Sequence, residues 1–430
     1  MACRASVTEG DGLSDLCGCD SGYDPSLMSE KIIDQETRSR IERYLAATAA
    51  GSAEAPAIVL EVGWVNGVGA IQSLARAGVK VLALDHRPFA IGLRSRYCLP
   101  VVCPDPYAEE ERFAAFLSEL VELLPAPTPI FATHDDGLAS ISRALPGLDG
   151  KLLCPAPDTA VLDELQKKRW QLARAAEAKV ATPLTFYPGS VSEARAAAKE
   201  VGFPLFVKPS EPIAFRKVYP RRRVFSCNSM AELDEAYEKA APYAAMLQEV
   251  VPGGDRELYT VGSYLDREGR ALGIYCGRKL RQTPRSRKLV PRGVGSCRHG
   301  ETLWLPELVE DSLRLLKVCG YTGISQVEFK RDLRSGEFKL MEINPRLWMW
   351  HTLAAACGVN LPYIAYLDLT GRPPEPCTSE GRRKQWAITL MRGERPVIAR
   401  PIYVDPILSL RDPKPALVYL YRYFKHLGRP

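Results

Sequence analysis

Residues 326–346, QVEFKRDLRSGEFKLMEINPR, constrain the fold more than any other stretch of the chain. Val327 and Phe329 alternate with Gln326, Glu328 and Lys330, the two-residue period of a half-buried strand. Arg334-Ser335-Gly336 reads as a three-residue turn, with Gly336 supplying the positive φ that such loops need. A hairpin closed about Ser335 sets Glu328 opposite Glu342, because the two are equidistant from that centre. Asn344 lies two positions further along and points to the same side. Facing carboxylates repel across a sheet, so the pattern makes sense around a hard cation. Glu328, Glu342 and Asn344 offer only oxygen ligands, which suits Mg2+ with further ligands borrowed from nucleotide phosphates and water. Mn2+ is the substitute occupant of such a site. Arg346 follows on the same face and has the fork geometry to hold a phosphate. The competing reading is a surface hairpin with solvated acids, and a bulge that slips the register would separate the pair.

The chain has 430 residues, more than one ordinary core accommodates, so two or three domains are expected. A net charge of +6 spread over that length is too dilute to point to nucleic acid, and no RNA- or DNA-reading motif accompanies it. Twelve cysteines are scattered without zinc-finger spacing, which suits reduced, mostly buried thiols. No apolar run reaches membrane-spanning length and no secretory signal opens the chain. The expectation is a cytoplasmic protein without a nucleic-acid or membrane partner; a homodimer is compatible with the composition.

Residues 1–55 read as a leader or arm with a short helix around 31–47. Residues 57–62 and 79–84 are apolar runs flanking a glycine-containing turn and a helix, a βαβ opening. An acid, Asp85, follows the second run, as in dinucleotide folds, but the glycines at 63, 67 and 69 have the wrong spacing. A doubly wound α/β domain is the reading, spanning 56–157 with a further strand at 129–133 and a helix after Asp135-Asp136. Asp158 is a candidate N-cap for a helical stretch running to about Lys179. A lid-like α+β region at 158–250 includes a helix at 192–201, a strand at 205–208, a helix at 231–241 and a strand at 245–251. The hairpin lies in a larger region, 251–372, with strands at 258–265 and 271–279 and helices at 307–319 and after Trp350. Residues 373–430, rich in proline and arginine, read as a C-terminal extension.

Other features fall into order with the hairpin. Lys168 opens a helix, and Lys208 ends the apolar strand Phe206-Val207-Lys208-Pro209. QEVVPGG at 248–254 closes another strand, and CGRKLRQTP at 276–284 sets Lys279 and Arg281 on one face. Each lysine alone is an ordinary surface charge; together they outline a nucleotide cleft. With VEFKRD at 327–332 and MEINPR at 341–346, the chain resembles the ATP-grasp superfamily over about residues 56–372. More narrowly it is similar to the carboxylate–amine ligases related to D-aspartate ligase. The resemblance implies two α+β lobes clamping ATP, preceded by the doubly wound α/β domain. It implies that Lys168 and Lys208 contact ATP, that the hinge from Glu249 to Val251 reads adenine largely through backbone, and that the Gln248 side chain reaches the base. It further implies that Asp255 takes the ribose, and that Glu328, Glu342 and Asn344 hold the magnesium. Arg346, Arg281 and Lys279 would act on the transferred phosphate or the substrate carboxylate.

Two features depart from the family or extend it. Many relatives cover the triphosphate with a glycine-rich loop, yet no glycine occurs between Gly202 and Gly253. The basic segment 210–223 stands there, with Arg216, Lys217 and Arg221–Arg223 as candidate charge partners. Trp348, Trp350, His351 and the basic run 285–292 suggest a partly aromatic, anion-friendly acceptor site. The implied activity is amide formation between a small-molecule carboxylate and an amine, such as an amino acid, through an acyl phosphate. The alternatives are phosphoryl transfer to an enol, a hydroxyl or bicarbonate, and a non-catalytic ATP-binding regulatory subunit.

Overall fold

Buried apolar runs of four or five residues build the first sheet. A computed structural model of the chain describes residues 31–47, 55–125, 127–210, 215, 218–219, 224–283, 295–389 and 403–425. Helix α1 (Gln35–Ala46) precedes strands β1 (Ala57–Leu60), β2 (Val81–Asp85), β3 (Leu99–Val102), β4 (Thr128–Ala132) and β5 (Leu152–Leu153). All five pair in parallel, in the order β3-β2-β1-β4-β5. β1, β2 and β4 are buried along their whole length, as a parallel sheet covered on both faces requires. Helices α2 (Val65–Ala75), α3 (Glu110–Val121) and α4 (Asp135–Ala144) link them. Strand β1 stops earlier than the apolar run suggests, because Glu61 adopts a left-handed φ of 62° and turns the chain.

The glycines after β1 serve packing. A Cβ on Gly67 would lie 2.5 Å from the Cα of Val62, and one on Gly69 would lie 2.4 Å from Thr352. Asp85, the acid that follows the second strand as in dinucleotide folds, accepts hydrogen bonds from the backbone N–H and guanidinium of nearby Arg87.

The helical stretch after Asp158 divides at Gln166-Lys167 into α5 (Thr159–Leu165) and α6 (Lys168–Glu177). Asp158 occupies the N-cap position without a side-chain cap bond. A second sheet, antiparallel, follows: β6 (Thr185–Phe186), β7 (Leu205–Pro209), β8 (Phe225–Cys227) and β9 (Ala245–Glu249), in the order β6-β9-β7-β8. Helices α7 (Val191–Val201) and α8 (Met230–Ala240) contribute to the same apolar cluster as its strands. Ser190 and Ser229 cap them by accepting from the amides of Glu193 and Glu232.

The third sheet is the largest. It contains β10 (Leu258–Leu265), β11 (Ala271–Thr283), β12 (Ser296–Thr302), β13 (Gly323–Arg331), β14 (Phe338–Asn344), β15 (Cys377–Thr378), β16 (Gln385–Ala387) and β17 (Tyr403–Val404). Its main order is β14-β13-β10-β11-β12-β16-β17, with β15 beside β11. The segment read as a C-terminal extension thus contributes edge strands. Helices α9 (Pro306–Val318), α10 (Thr352–Ala356), α11 (Leu361–Leu369) and α12 (Pro413–Lys425) complete the elements of the described residues. Val327, Phe329 and Leu340 pack with Leu308, Leu315 and Leu316 of α9, the burial that the alternation in the hairpin demands.

Trp348, Trp350 and His351 do not line an acceptor pocket. All three are buried, and the two tryptophans share a core with β1 and α2. Gly262 makes this possible, since a Cβ there would lie 2.0 Å from the Trp348 ring. His351 Nε2 is 3.0 Å from the carbonyl of Asn66, and burial pushes its pKa down to about 4. The basic runs 285–292 and 216–217 with 221–223 lie outside the described residues.

Candidate active site

The hairpin brings the two glutamates together by a route that differs from simple symmetry. The loop is Leu333–Gly336, closed by the Asp332 amide donating to Glu337 O at 2.8 Å and by the Gly336 amide donating to Asp332 O at 2.7 Å. Phe329 therefore pairs with Leu340, not Met341. An irregularity between Glu328 and Phe329 then restores the expected register, so that Glu328 pairs with Glu342 and Gln326 with Asn344. The expected three-residue turn is corrected, and a bulge joins the pair instead of separating it.

Around these acids lies one connected polar network. Lys279 Nζ, from β11, is 2.6 Å from Glu328 Oε1. Lys168 Nζ, at the start of α6, is 3.2 Å from Glu342 Oε2. Asn344 donates to Glu342 at 3.1 Å, and Gln326 donates to Glu328 at 3.2 Å. Lys168 holds the Glu342 carboxyl well below the usual carboxylate range. Burial pushes Glu328 up, against the pull of Lys279. Burial also works against the charge of Lys279, but Glu328 more than offsets it and the ammonium pKa is raised.

On the second sheet, Lys208 Nζ donates to Gln248 Oε1 at 2.6 Å, and Gln248 donates to Thr185 at 3.0 Å. Burial, then repulsion from Lys168, lowers the Lys208 pKa to about 8. That electrostatic link ties Lys208 to the same neighbourhood as Lys168 and Glu342.

Other candidates are engaged differently. Glu249 faces away from Gln248 and binds Lys339 and Arg334, each at 2.5 Å, while accepting from the Leu184 amide at 2.9 Å. Its side chain fastens the second sheet to the hairpin loop, and its substitution by alanine is expected to cost about 3 kcal/mol of stability, measurable by urea unfolding. Val251 is buried just past β9. The Asp255 carboxylate accepts from the Gln282 amide at 2.8 Å and from its side chain at 3.1 Å. Lys279 and Arg281 do not share a face in the simple way expected. The β11–β12 register shifts on either side of Arg281, and Lys279 is buried while Arg281 is exposed. Arg346 turns to Asp135, at 2.7 and 3.2 Å, with Asn344 Oδ1 3.5 Å away.

Sequence reasoning missed Gln171, Asp135 and Glu61. Gln171 accepts from the Ile343 amide at 3.0 Å, which seats α6 on β14 and aims Lys168 at Glu342. Asp135 opens α4 directly after β4, so an acid at a strand end was the available signal. Glu61 sits between the ends of β1 and β4, where strand order reverses and open α/β sheets form their crevice. His134 Nδ1 is 3.8 Å from its carboxylate. Burial, then Asp136 and Asp85, pushes its carboxyl up to about 8.

The folded chain thus holds a proton on Glu61 that the unfolded chain releases near the ordinary value. Stability from this group is complete below that value and is lost as pH rises towards 8. Glu61→Gln should therefore become more stable than the parent by on the order of a few kcal/mol at pH 8, and by much less at pH 5. Chemical unfolding at the two pH values checks this.

The donor set fits a hard divalent cation: two carboxylates and two amide side chains on adjacent strands, balanced here by two ammonium groups. Among the described residues no three or more His, Cys, Asp or Glu side chains gather as a metal cage. Such a cation would need oxygens from a bound phosphate to complete its shell.

Comparison with known proteins bears on the fold. Residues 305–366 match the family model described as carbamoyl-phosphate synthase L chain, ATP binding domain. The chain is 24% identical over 222 residues to the D-aspartate ligase of Enterococcus faecium, a match spanning 49% of this chain and 50% of that protein. In structure it is similar to the biotin carboxylase domain of Hydrogenobacter thermophilus 2-oxoglutarate carboxylase, solved with MgADP, ADP and bicarbonate. The TM-score there is 0.57 at 17% identity, covering 77% of this chain and 73% of that one. It is also similar to the L-amino acid ligase of Bacillus licheniformis, with a TM-score of 0.57 at 13% identity, covering 79% of this chain and 81% of that one. With its second sheet contributing Lys208 on one side and its third contributing the paired glutamates on the other, the chain has the ATP-grasp fold.

Proposed function

We propose that the protein is an ATP-dependent carboxylate–amine ligase that forms an amide bond through an acyl phosphate and releases ADP and phosphate. The observation that carries this reading is the Glu328–Glu342–Asn344 face with Lys168 and Lys279 as its counter-charges. Phosphate oxygens of ATP would draw Lys168 and Lys208 to themselves, freeing Glu342 for the cation. A bound magnesium ion supplies positive charge that neutralises the phosphate oxygens and the oxyanion of the leaving group.

The chain's own groups do the positioning. Lys208, on a buried strand end, and Lys168, at a helix start, are fixed cations for the phosphates. Gln248 to Val251, with Asp255, form the adenosine end of the cleft. Arg346, fixed by Asp135, stands at the edge of the acids where a carboxylate must lie in line with the γ-phosphate. Arg281 is the exposed cation for the far end of the carboxylate substrate. The segment 158–250 acts as the lid that keeps water from the acyl phosphate. Glu61 and His134, at the carboxyl edge of the parallel sheet, adjoin Arg346 through Asp135 and offer the acceptor its polar contacts.

The D-aspartate ligase and L-amino acid ligase likenesses favour an amino acid as one substrate. The bicarbonate with which the Hydrogenobacter biotin carboxylase domain was solved favours a second reading, in which bicarbonate is the carboxyl group activated. Phosphate release with ATP and Mg2+ should be screened over pairs of carboxylates and amines, bicarbonate included, with product mass measured. An amide product supports the ligase, and a carboxylated product supports the second reading. ADP formed with no carboxylate-derived product would overturn both.

A further inference from the structure

Helix α12 (Pro413–Lys425, PKPALVYLYRYFK) contains no acidic residue and turns an apolar stripe outward. Leu417, Tyr421 and Phe424 recur at helical spacing and are 62%, 63% and 60% exposed. Leu408 and Leu410, just upstream, are exposed as well. Of the thirteen large hydrophobic residues exposed among the described residues, five fall within 408–424, so this is a patch and not scatter.

The helix is anchored rather than trailing. Asp412, fully buried, accepts from Ser95 Oγ at 2.6 Å, from the Arg96 amide at 3.0 Å and from Gln72 Nε2 at 3.1 Å. Ala416 is buried on the inner side, and the ring of Tyr419 lies 6.1 Å from that of Trp64. Arg422 donates to the carbonyl of Phe89, a residue that is itself 68% exposed, so the patch continues onto the loop after β2.

Its charge is of one sign. Arg411, Lys414, Arg422 and Lys425 surround the stripe, and Asp412, the only acid in 406–425, is buried beneath it. Arg94 lies over the Phe89 ring at 5.9 Å, and Lys425 lies 5.5 Å from the Tyr421 ring. A second copy meeting this face about a two-fold axis would set these cations against their own kind. The complementary surface is therefore negative and apolar beneath its charge. Tyrosine and phenylalanine rings flanked by basic side chains suit the headgroup level of a bilayer. Among the described residues no helix is long and apolar enough to cross a membrane, and lying in the surface requires none.

We propose that α12 lies flat on an anionic lipid surface, with Leu417, Tyr421 and Phe424 in the headgroup boundary and Arg411, Lys414, Arg422 and Lys425 against the lipid phosphates. The proposal is independent of the ligase reading. The full chain should co-sediment with vesicles of phosphatidylcholine mixed with phosphatidylglycerol, and not with phosphatidylcholine alone, and added salt should weaken the association. Tyr421→Ser/Phe424→Ser should lower the affinity by about tenfold or more through lost apolar burial. Lys414→Glu/Lys425→Glu should lower it by at least about tenfold, since each basic group near such a surface contributes roughly fivefold. Both variants should keep the parent's melting temperature. The proposal is overturned if the unaltered chain ignores the anionic vesicles at low salt, if it binds both vesicle types alike, or if the double variants bind as the parent does. A dimer seen by light scattering and dissolved by Tyr421→Ser/Phe424→Ser would equally overturn it in favour of self-association.

Discussion

Glu342→Gln should leave the fold intact and reduce ADP formation by at least about a thousandfold. Glutamine has the shape of glutamate, and Asn344 keeps an oxygen to donate to. What goes is one of the two negative charges on the face formed by β13 and β14. A cation held there would lose the ligand that Lys168 keeps ionised to the lowest pH. The Glu342 side chain is 40% exposed, so losing its pairing with Lys168 should cost no more than about 1 kcal/mol of stability. A large kinetic effect with a small stability effect is the signature of a charge placed for chemistry. Ordinary turnover by the variant, measured as phosphate release with a working substrate pair, would remove Glu342 from the metal site.

Lys279→Met should do the opposite and unfold the protein more easily before any substrate is added. Lys279 and Glu328 are 8% and 14% exposed at their side chains and 2.6 Å apart. Methionine fills the space of the lysine stem but leaves Glu328 without its counter-charge in a site from which water is largely excluded. Breaking a buried pair in this way costs about 3–5 kcal/mol. Adding Glu328→Gln to Lys279→Met should recover more than half of the loss, because an amide needs no cation beside it. Urea unfolding of the parent, the two single variants and the double variant closes the cycle. If the double variant were as unstable as Lys279→Met, the pair would not be the source of the loss.

Much of the hairpin was legible because a strand's side-chain period is short and strict. Val327 and Phe329 had to face a core, so Glu328 had to face the other way. The pairing of Glu328 with Glu342 came out as expected although its premise did not. The loop is one residue longer than the turn expected from Arg334-Ser335-Gly336, and the irregularity beside Glu328 restores the register. No local residue pattern announces that offset, since both arrangements satisfy the same alternation. Lys168 and Lys208 were assigned to ATP through family resemblance, because a lysine at a helix start or strand end carries no local mark of a phosphate.

The misplaced residues share one cause. Trp348, Trp350 and His351 looked like pocket residues because large aromatic groups suit both cores and binding sites. Only the approach of the parallel-sheet unit to the third sheet, through Gly69 and Gly262, shows that they are core. For Glu249 the resemblance implied a backbone role at the hinge and left the partner of its side chain open. Alternation along β9 sends Gln248 towards Lys208 and Glu249 towards Lys339 and Arg334. Which of the two side chains met Lys208 depended on sheet partners distant in the chain.

From its residue order alone the chain determined the acid–acid–amide face, the parallel opening and the likeness to the ATP-grasp fold. Each follows from side-chain period, apolar runs or short motifs, which are local properties of a strand or helix. Tertiary structure alone decided that Lys279 pairs with Glu328, that Asp135 holds Arg346 and that Gln171 aims Lys168. Those contacts join segments far apart in sequence, and their geometry exists only once the sheets have packed and water has been displaced between them.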